Sequence, residues 1–86
     1  MPSQTAVVGS AVGLHARPAA LIAQAAGQYD EEITLATDGN EPVDAASALM
    51  IMTLGAEKGA TVTVTTESPE ALAEIVGLVE QDLDAS

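Results

Sequence analysis

The sequence predicts an α+β fold of order βαββαβα, a four-stranded antiparallel sheet with three helices packed on one face. Three observations lead there. Stretches that alternate every second residue stand apart from stretches with helical spacing, and glycine, proline or asparagine turn signals separate them. The 86 residues leave room for one core and no second lobe, so residues 1–86 are expected to form a single domain. Hydrophobic residues make up 48% of the chain but aromatic ones only 1%, so the core must consist of Val, Ile, Leu, Met and Ala. A thin aliphatic core favours a shallow surface site over a deep cavity.

Residues 4–9 read as a short strand and 10–13 as a turn. Ala16–Ala26 reads as a helix, with Leu21, Ile22, Ala25 and Ala26 on one face and Gly27 ending it. Residues 32–37 alternate as a strand, and Asp38-Gly39-Asn40 is a hairpin turn signal. Residues 41–44 form a weak partner strand, which Pro42 consigns to an edge or irregular position. Residues 47–54 read as a short helix stopped by Gly55, and Glu57-Lys58-Gly59 turns the chain. In 60–66, alternation predicts Val62 and Val64 inward and the threonines outward. Ser68-Pro69-Glu70 is a strong helix start, combining a cap, a first-turn proline and an acid near the positive end. Leu72, Ile75, Val76, Val79 and Leu83 then keep helical spacing.

Charge narrows the function classes. Thirteen acids against two bases give a net charge of −11, which excludes nucleic-acid binding for want of a basic patch and sets an anionic membrane surface against the chain. The hydrophobic content is too high for a disordered acidic chain. A dense acidic surface with a lone lysine, Lys58, is read as that of a protein from a high-salt cytoplasm, where screening makes it tolerable. The predicted last helix ends in Glu80, Asp82 and Asp84, the wrong sign for its negative end, so stability should rise with salt. There is no cysteine, hence no disulfide framework or thiolate metal site. No targeting segment or membrane-spanning apolar run is visible, and a soluble cytoplasmic protein is the expectation.

The chemistry concentrates at Gly13-Leu14-His15-Ala16-Arg17-Pro18-Ala19. This segment holds the only histidine and one of the two basic side chains, where an Ala-rich helix begins. His15 is expected as the cap of that helix. Ala16 and Arg17 would then offer open backbone N–H groups to an anion, and Pro18, in the first turn, needs no N–H. The positive helix end should disfavour a second proton on the imidazole, and the neutral ring is the nucleophilic form. The Arg17 guanidinium would neutralise an incoming phosphate with its planar fork of donors. A residue before proline is biased away from helical angles, so a shifted backbone is expected at Arg17. The alternative, His15 as a mere cap and Arg17 as a solvated charge, does not account for the glycine turn, arginine and first-turn proline gathered around one histidine. No metal or cofactor is implied, and no Gly-rich loop with lysine is present to bind a nucleotide.

With these residues in view, the chain resembles the histidine-containing phosphocarrier (HPr) family of the phosphoenolpyruvate-dependent sugar phosphotransferase system. The 13–19 segment is similar to that family's phosphorylation-site motif. Glu32-Ile33-Thr34, the Asp38-Gly39 turn, Ser47-Ala48-Leu49 and Thr53-Leu54-Gly55 fall in the family's places, with one extra residue in the loop before Ser47. The resemblance implies an open-faced β-sandwich in which His15 takes a phosphoryl group on Nδ1 from Enzyme I and passes it to a sugar-specific IIA component. Arg17 would steady the phosphate. Such a protein is a covalent relay rather than an enzyme with free substrate and product.

Ser47 aligns with a serine that an HPr kinase modifies in some bacteria, although capping of the second helix also explains a serine there. Ala48, Leu49 and Met52 on that helix, with Ala20 and Gln24 on the first, are the expected partner surface, while Ile51 and Leu54 point inward. The opposing possibility is that these apolar residues are all core. A relay that shows one face to successive partners is expected to be a monomer. Two departures bear on recognition. Gln24 stands where the family commonly has lysine, and Val12 where a polar residue is frequent. Alternatives to the sugar relay are a specialised relay for a nitrogen-related or dihydroxyacetone-kinase branch, and a regulatory binding module acting through Ser47.

Overall fold

The computed structural model describes residues 2–9 and 13–81. Its elements follow the expected order: β1 (Ser3–Val7), α1 (Ala16–Ala26), β2 (Ile33–Thr37), β3 (Val43–Asp44), α2 (Ala48–Thr53), β4 (Thr61–Thr66) and α3 (Pro69–Glu80). The strands form one antiparallel sheet of order β1-β4-β2-β3. The strand predicted over 4–9 sits one residue earlier and stops at Val7, because Gly9 donates instead to the Val79 carbonyl at the end of α3 (3.0 Å). Val8 still donates to Ala60 (2.9 Å), so the chain leaves the ladder gradually. Residues 10–12 of the expected turn, including Val12, lie outside the described residues, as do Asp82, Leu83 and Asp84.

Alternation decides the two sides of the sheet. Ala6, Ile33, Leu35, Val62 and Val64 are buried beneath the helices, whereas Ser3, Thr5 and Thr61 are exposed on the open face. Thr66 corrects the reading of β4. It shares the Val62 and Val64 side of the strand and is fully buried rather than outward. Its backbone N–H donates to Pro2 (3.1 Å), and its Oγ1 accepts from the Ser68 N–H (3.3 Å), so the hydroxyl is satisfied at the strand-to-helix corner. Ser68 then caps α3, its Oγ accepting from Ala71 (3.2 Å), with Pro69 in the first turn and Glu70 near the positive end.

The helices supply the other half of the core. Pro18, Ala19, Ile22 and Ala26 of α1 are buried, as are Ile51 of α2 and Ala71, Ile75, Val76 and Val79 of α3. Leu21 departs from its expected core position. It is 38% exposed and lines an open groove between α1 and α3, because the face that packs downward is set by Ile22 and Ala26. Across that groove the Tyr29 hydroxyl donates to Glu74 Oε1 (2.6 Å) and ties the end of α1 to α3. The helices follow the sheet in the order α3, α1, α2: α3 packs on β1 and β4, α2 on β3, and α1 touches both other helices. No helix among the described residues is long and apolar enough to cross a membrane.

Candidate functional site

The site begins with a glycine that only glycine can occupy. Gly13 has φ +76°, and a Cβ there would lie 2.4 Å from the Ala56 carbonyl oxygen. The Leu14 N–H donates to that same oxygen (2.8 Å), and the Leu14 side chain is buried. The backbone is thus clamped to the segment leaving α2 one residue before His15, which sets the start of α1 beside the end of α2.

His15 then stands at the N-cap of α1 with extended backbone (φ −85°, ψ −163°). Its carbonyl accepts from the Ala19 N–H (2.9 Å), but its side chain makes no capping hydrogen bond. The position is that of a cap, while the imidazole is exposed and does not cap the helix. The next two residues, Ala16 and Arg17, occupy the first turn, where backbone N–H groups have no intrahelical acceptor. Pro18 follows, buried, and anchors the turn without sacrificing a hydrogen bond. No carboxylate lies in that first turn to compete for the positive end. Arg17 is exposed and helical, so the proline bias does not lift it out of the helix; its guanidinium has no ion-pair partner among the described residues.

The second helix is placed by a turn that spacing alone did not reveal. Asp44 Oδ1 accepts from Ala46 N–H (2.9 Å), and the Asp44 carbonyl accepts from Ser47 N–H (3.1 Å). Ser47 Oγ accepts from Met50 N–H (3.3 Å) and caps α2. Of the expected partner surface, Leu49 is 70% exposed, and Met52, Ala20 and Gln24 are exposed as well. Ala48 is half-buried rather than exposed, since it packs against the core. Gln24 faces the α1–α3 groove, where it meets the side of α3 carrying Glu74 and Leu78. Met50 was not anticipated, yet it is exposed beside Leu49, so α2 offers three large apolar side chains to solvent. Ile51 is fully buried and Leu54 half-buried, as expected of the inward side. No cluster of three or more metal-ligating side chains occurs among the described residues.

The family model described as the PTS HPr component phosphorylation site matches residues 2–81. The chain belongs to the HPr phosphocarrier family. Phosphocarrier protein HPr of Vibrio cholerae is 39% identical over 72 residues, covering 80% of this chain and 84% of that protein. The HPr-like protein Crh of Halalkalibacterium halodurans is 37% identical over 73 residues, covering 81% and 86%. The crystal structure of HPr-C-His from Thermoanaerobacter tengcongensis superposes with a TM-score of 0.87 at 35% identity, over 100% of this chain and 99% of that one. The open sheet with three helices is the architecture of those HPr structures. HPr proteins act within the phosphotransferase system, which gives the exposed N-terminus of α1 a chemical context.

Proposed function

We propose that this HPr-family chain relays a phosphoryl group between proteins through His15. The observation that carries the reading is the arrangement at the start of α1. The ring occupies the cap position without capping, Ala16 and Arg17 stand in the first turn beside it, and a guanidinium with no ion-pair partner among the described residues follows two residues on. In the relay, a ring nitrogen of neutral His15 attacks the phosphorus held on Enzyme I. A new N–P bond forms as the donor's bond to phosphorus breaks, and the charge of the transferred group passes in front of the helix. The Ala16 and Arg17 N–H groups and the Arg17 side chain neutralise it there. A IIA component then takes the group in the reverse sense. Leu49, Met52 and Ala20, with Ala48 and Gln24 at the margins, form the docking surface, and flexible methionine suits a face that must fit several partners. The remaining setting is a single domain over residues 1–86 in a high-salt cytoplasm.

Ser47 supports a second, regulatory reading because the chain is similar to an HPr-like protein Crh. The Ser47 hydroxyl already accepts the Met50 amide, however, and His15 is present, so capping accounts for this serine. The test is incubation with phosphoenolpyruvate and Enzyme I in molar salt. Acid-labile phosphate should appear on the protein and vanish in His15→Ala; label retained by that variant overturns the relay. Arg17→Ala should fold normally and transfer roughly 30–160-fold more slowly, the loss of a charge-assisted hydrogen bond of about 2–3 kcal/mol. Transfer to sugar, nitrogen-related and dihydroxyacetone-kinase acceptors in parallel separates the branches.

A further inference from the structure

The groove between α1 and α3 has a volume of about 570 Å³ and is lined by none of the residues that handle the phosphoryl group. Leu21 and Leu78 give it apolar walls, while Tyr29 and Glu74 bring a hydroxyl and a carboxylate to it. Glu74 is exposed, and among the described residues its carboxylate accepts only the Tyr29 hydroxyl (2.6 Å). An ionised carboxylate can accept about four hydrogen bonds, so most of its capacity is open. Glu70, one turn earlier on α3, lays its charge on the same phenol. No lining residue is basic, and from α1 the nearest polar answer is the uncharged amide of Gln24. The groove therefore joins apolar walls to an uncompensated negative rim.

Its place along α1 says what covers it. Arg17, Leu21 and Gln24 follow four- and three-residue spacing and form one exposed stripe, so the groove begins about 6 Å along the helix from Arg17. A stable interface covers about 800 Å² on each partner, a patch about 30 Å across, and one centred on His15 reaches well past Leu21. We infer that a relay partner docked over His15 also covers this groove and sets a basic side chain, lysine or arginine, against Glu74, an inference that rests on the relay reading. The stripe then carries opposite signs at its two ends. The partner's phosphoryl group meets Arg17 and its cation meets Glu74, which admits one orientation of docking. A partner that covered Glu74 with apolar surface alone would strand its charge, so the groove rejects as well as selects. A second copy of the chain is the wrong occupant, since a net charge of −11 on each side adds repulsion at an already acidic rim.

The chain has one histidine, one tyrosine and no other aromatic ring, so the aromatic NMR spectrum of the isotopically labelled full chain holds two side chains. His15 reports the phosphoryl site and Tyr29 the groove. Titration with unlabelled cognate Enzyme I should shift both rings together. A shift at His15 with Tyr29 unmoved overturns the groove contact and leaves the relay standing. No shift at His15 removes the relay reading, and this inference with it. Kinetics then test the charge. Glu74→Gln keeps an acceptor for the Tyr29 hydroxyl, so the melt should hold. The KM of the chain as phosphoryl acceptor from Enzyme I should rise about tenfold while kcat stays within about twofold. Glu74→Lys should raise KM further, and molar potassium chloride should narrow both gaps. A KM that is unchanged in both variants, or lowered by Glu74→Lys, overturns the pairing with a partner's cation.

Discussion

A methyl group on Gly13 would press against the Ala56 carbonyl oxygen at 2.4 Å while forcing a side chain into φ +76°. Gly39 has nearly the same backbone, φ +81°, with nothing within 4 Å of the missing Cβ. The two therefore separate the cost of conformation from the cost of contact. Gly39→Ala should lose only the left-handed penalty, about 1–2 kcal/mol. Gly13→Ala should lose that amount plus a repulsive contact that the clamped backbone relieves only by moving, roughly 3–4 kcal/mol in all. Urea unfolding of both variants measures the difference, and equal losses would show that the Ala56 contact yields freely. Because Leu14 donates to the same oxygen, the movement also displaces His15, so phosphoryl acceptance should fall further in Gly13→Ala than its unfolded fraction explains. The sequence marked His15 and Arg17 because chemistry is carried by residue type. It marked Gly13 only as part of a turn, because a through-space neighbour at residue 56 has no signature in local spacing.

Among the elements, those with strong local signals were readable in advance. The bounds of α1 agree with the expectation residue for residue, and α2 and α3 start at the caps Ser47 and Ser68. What escaped was set by packing between elements. Thr66 is buried because its strand position outranks its polarity, and Leu21 is exposed because one helix face cannot serve both the sheet and α3. The Asp44 turn that delivers Ser47 to its cap position was hidden in a segment read as a weak strand. That cap makes a separable prediction. Ser47→Ala should cost about 1 kcal/mol through the lost Met50 contact. Ser47→Asp keeps an oxygen acceptor at the cap, so stability should hold while transfer slows from negative charge added beside Leu49 and Met52. Thermal melts paired with transfer rates read both, and an Asp variant that transfers normally would remove this end of α2 from the docking surface. The tie between α1 and α3 has its own signature. The hydrogen bond from Tyr29 to Glu74, with burial and the charges of Glu74 and Glu70, raises the phenol above its ordinary value of 10.0. A raised folded value means the contribution is complete below pH 10 and is lost as pH climbs through the higher folded value. Tyr29 is the only aromatic residue, so tyrosinate absorbance follows it alone, and Glu74→Gln should bring the titration midpoint down.

On the scale of the whole molecule, electrostatic self-repulsion opposes the fold. Only Arg17 and Lys58 offset thirteen acids, and α3, with Glu70, Glu74 and Glu80, has no basic residue in its last turn. Folding gathers these charges into a small volume, whereas unfolding lets them separate, so any condition that shortens the range of the field favours the native state. The screening length falls from about 10 Å at 0.1 M salt to about 3 Å at 1 M, below the usual spacing of surface carboxylates. If screening recovers about 2 kcal/mol, a domain of this size should melt roughly 10 °C higher in molar potassium chloride than in dilute buffer. The cause is separable from the general action of salt on apolar surface, because it requires ionised carboxylates. Repeating the two melts at a pH near the isoelectric point, where most of those groups are protonated, should shrink the gap to a few degrees. A gap that persists unchanged there would assign the effect to apolar hydration and remove the argument for a high-salt setting. If the gap collapses, the acidic surface is what ties this HPr fold to its solvent.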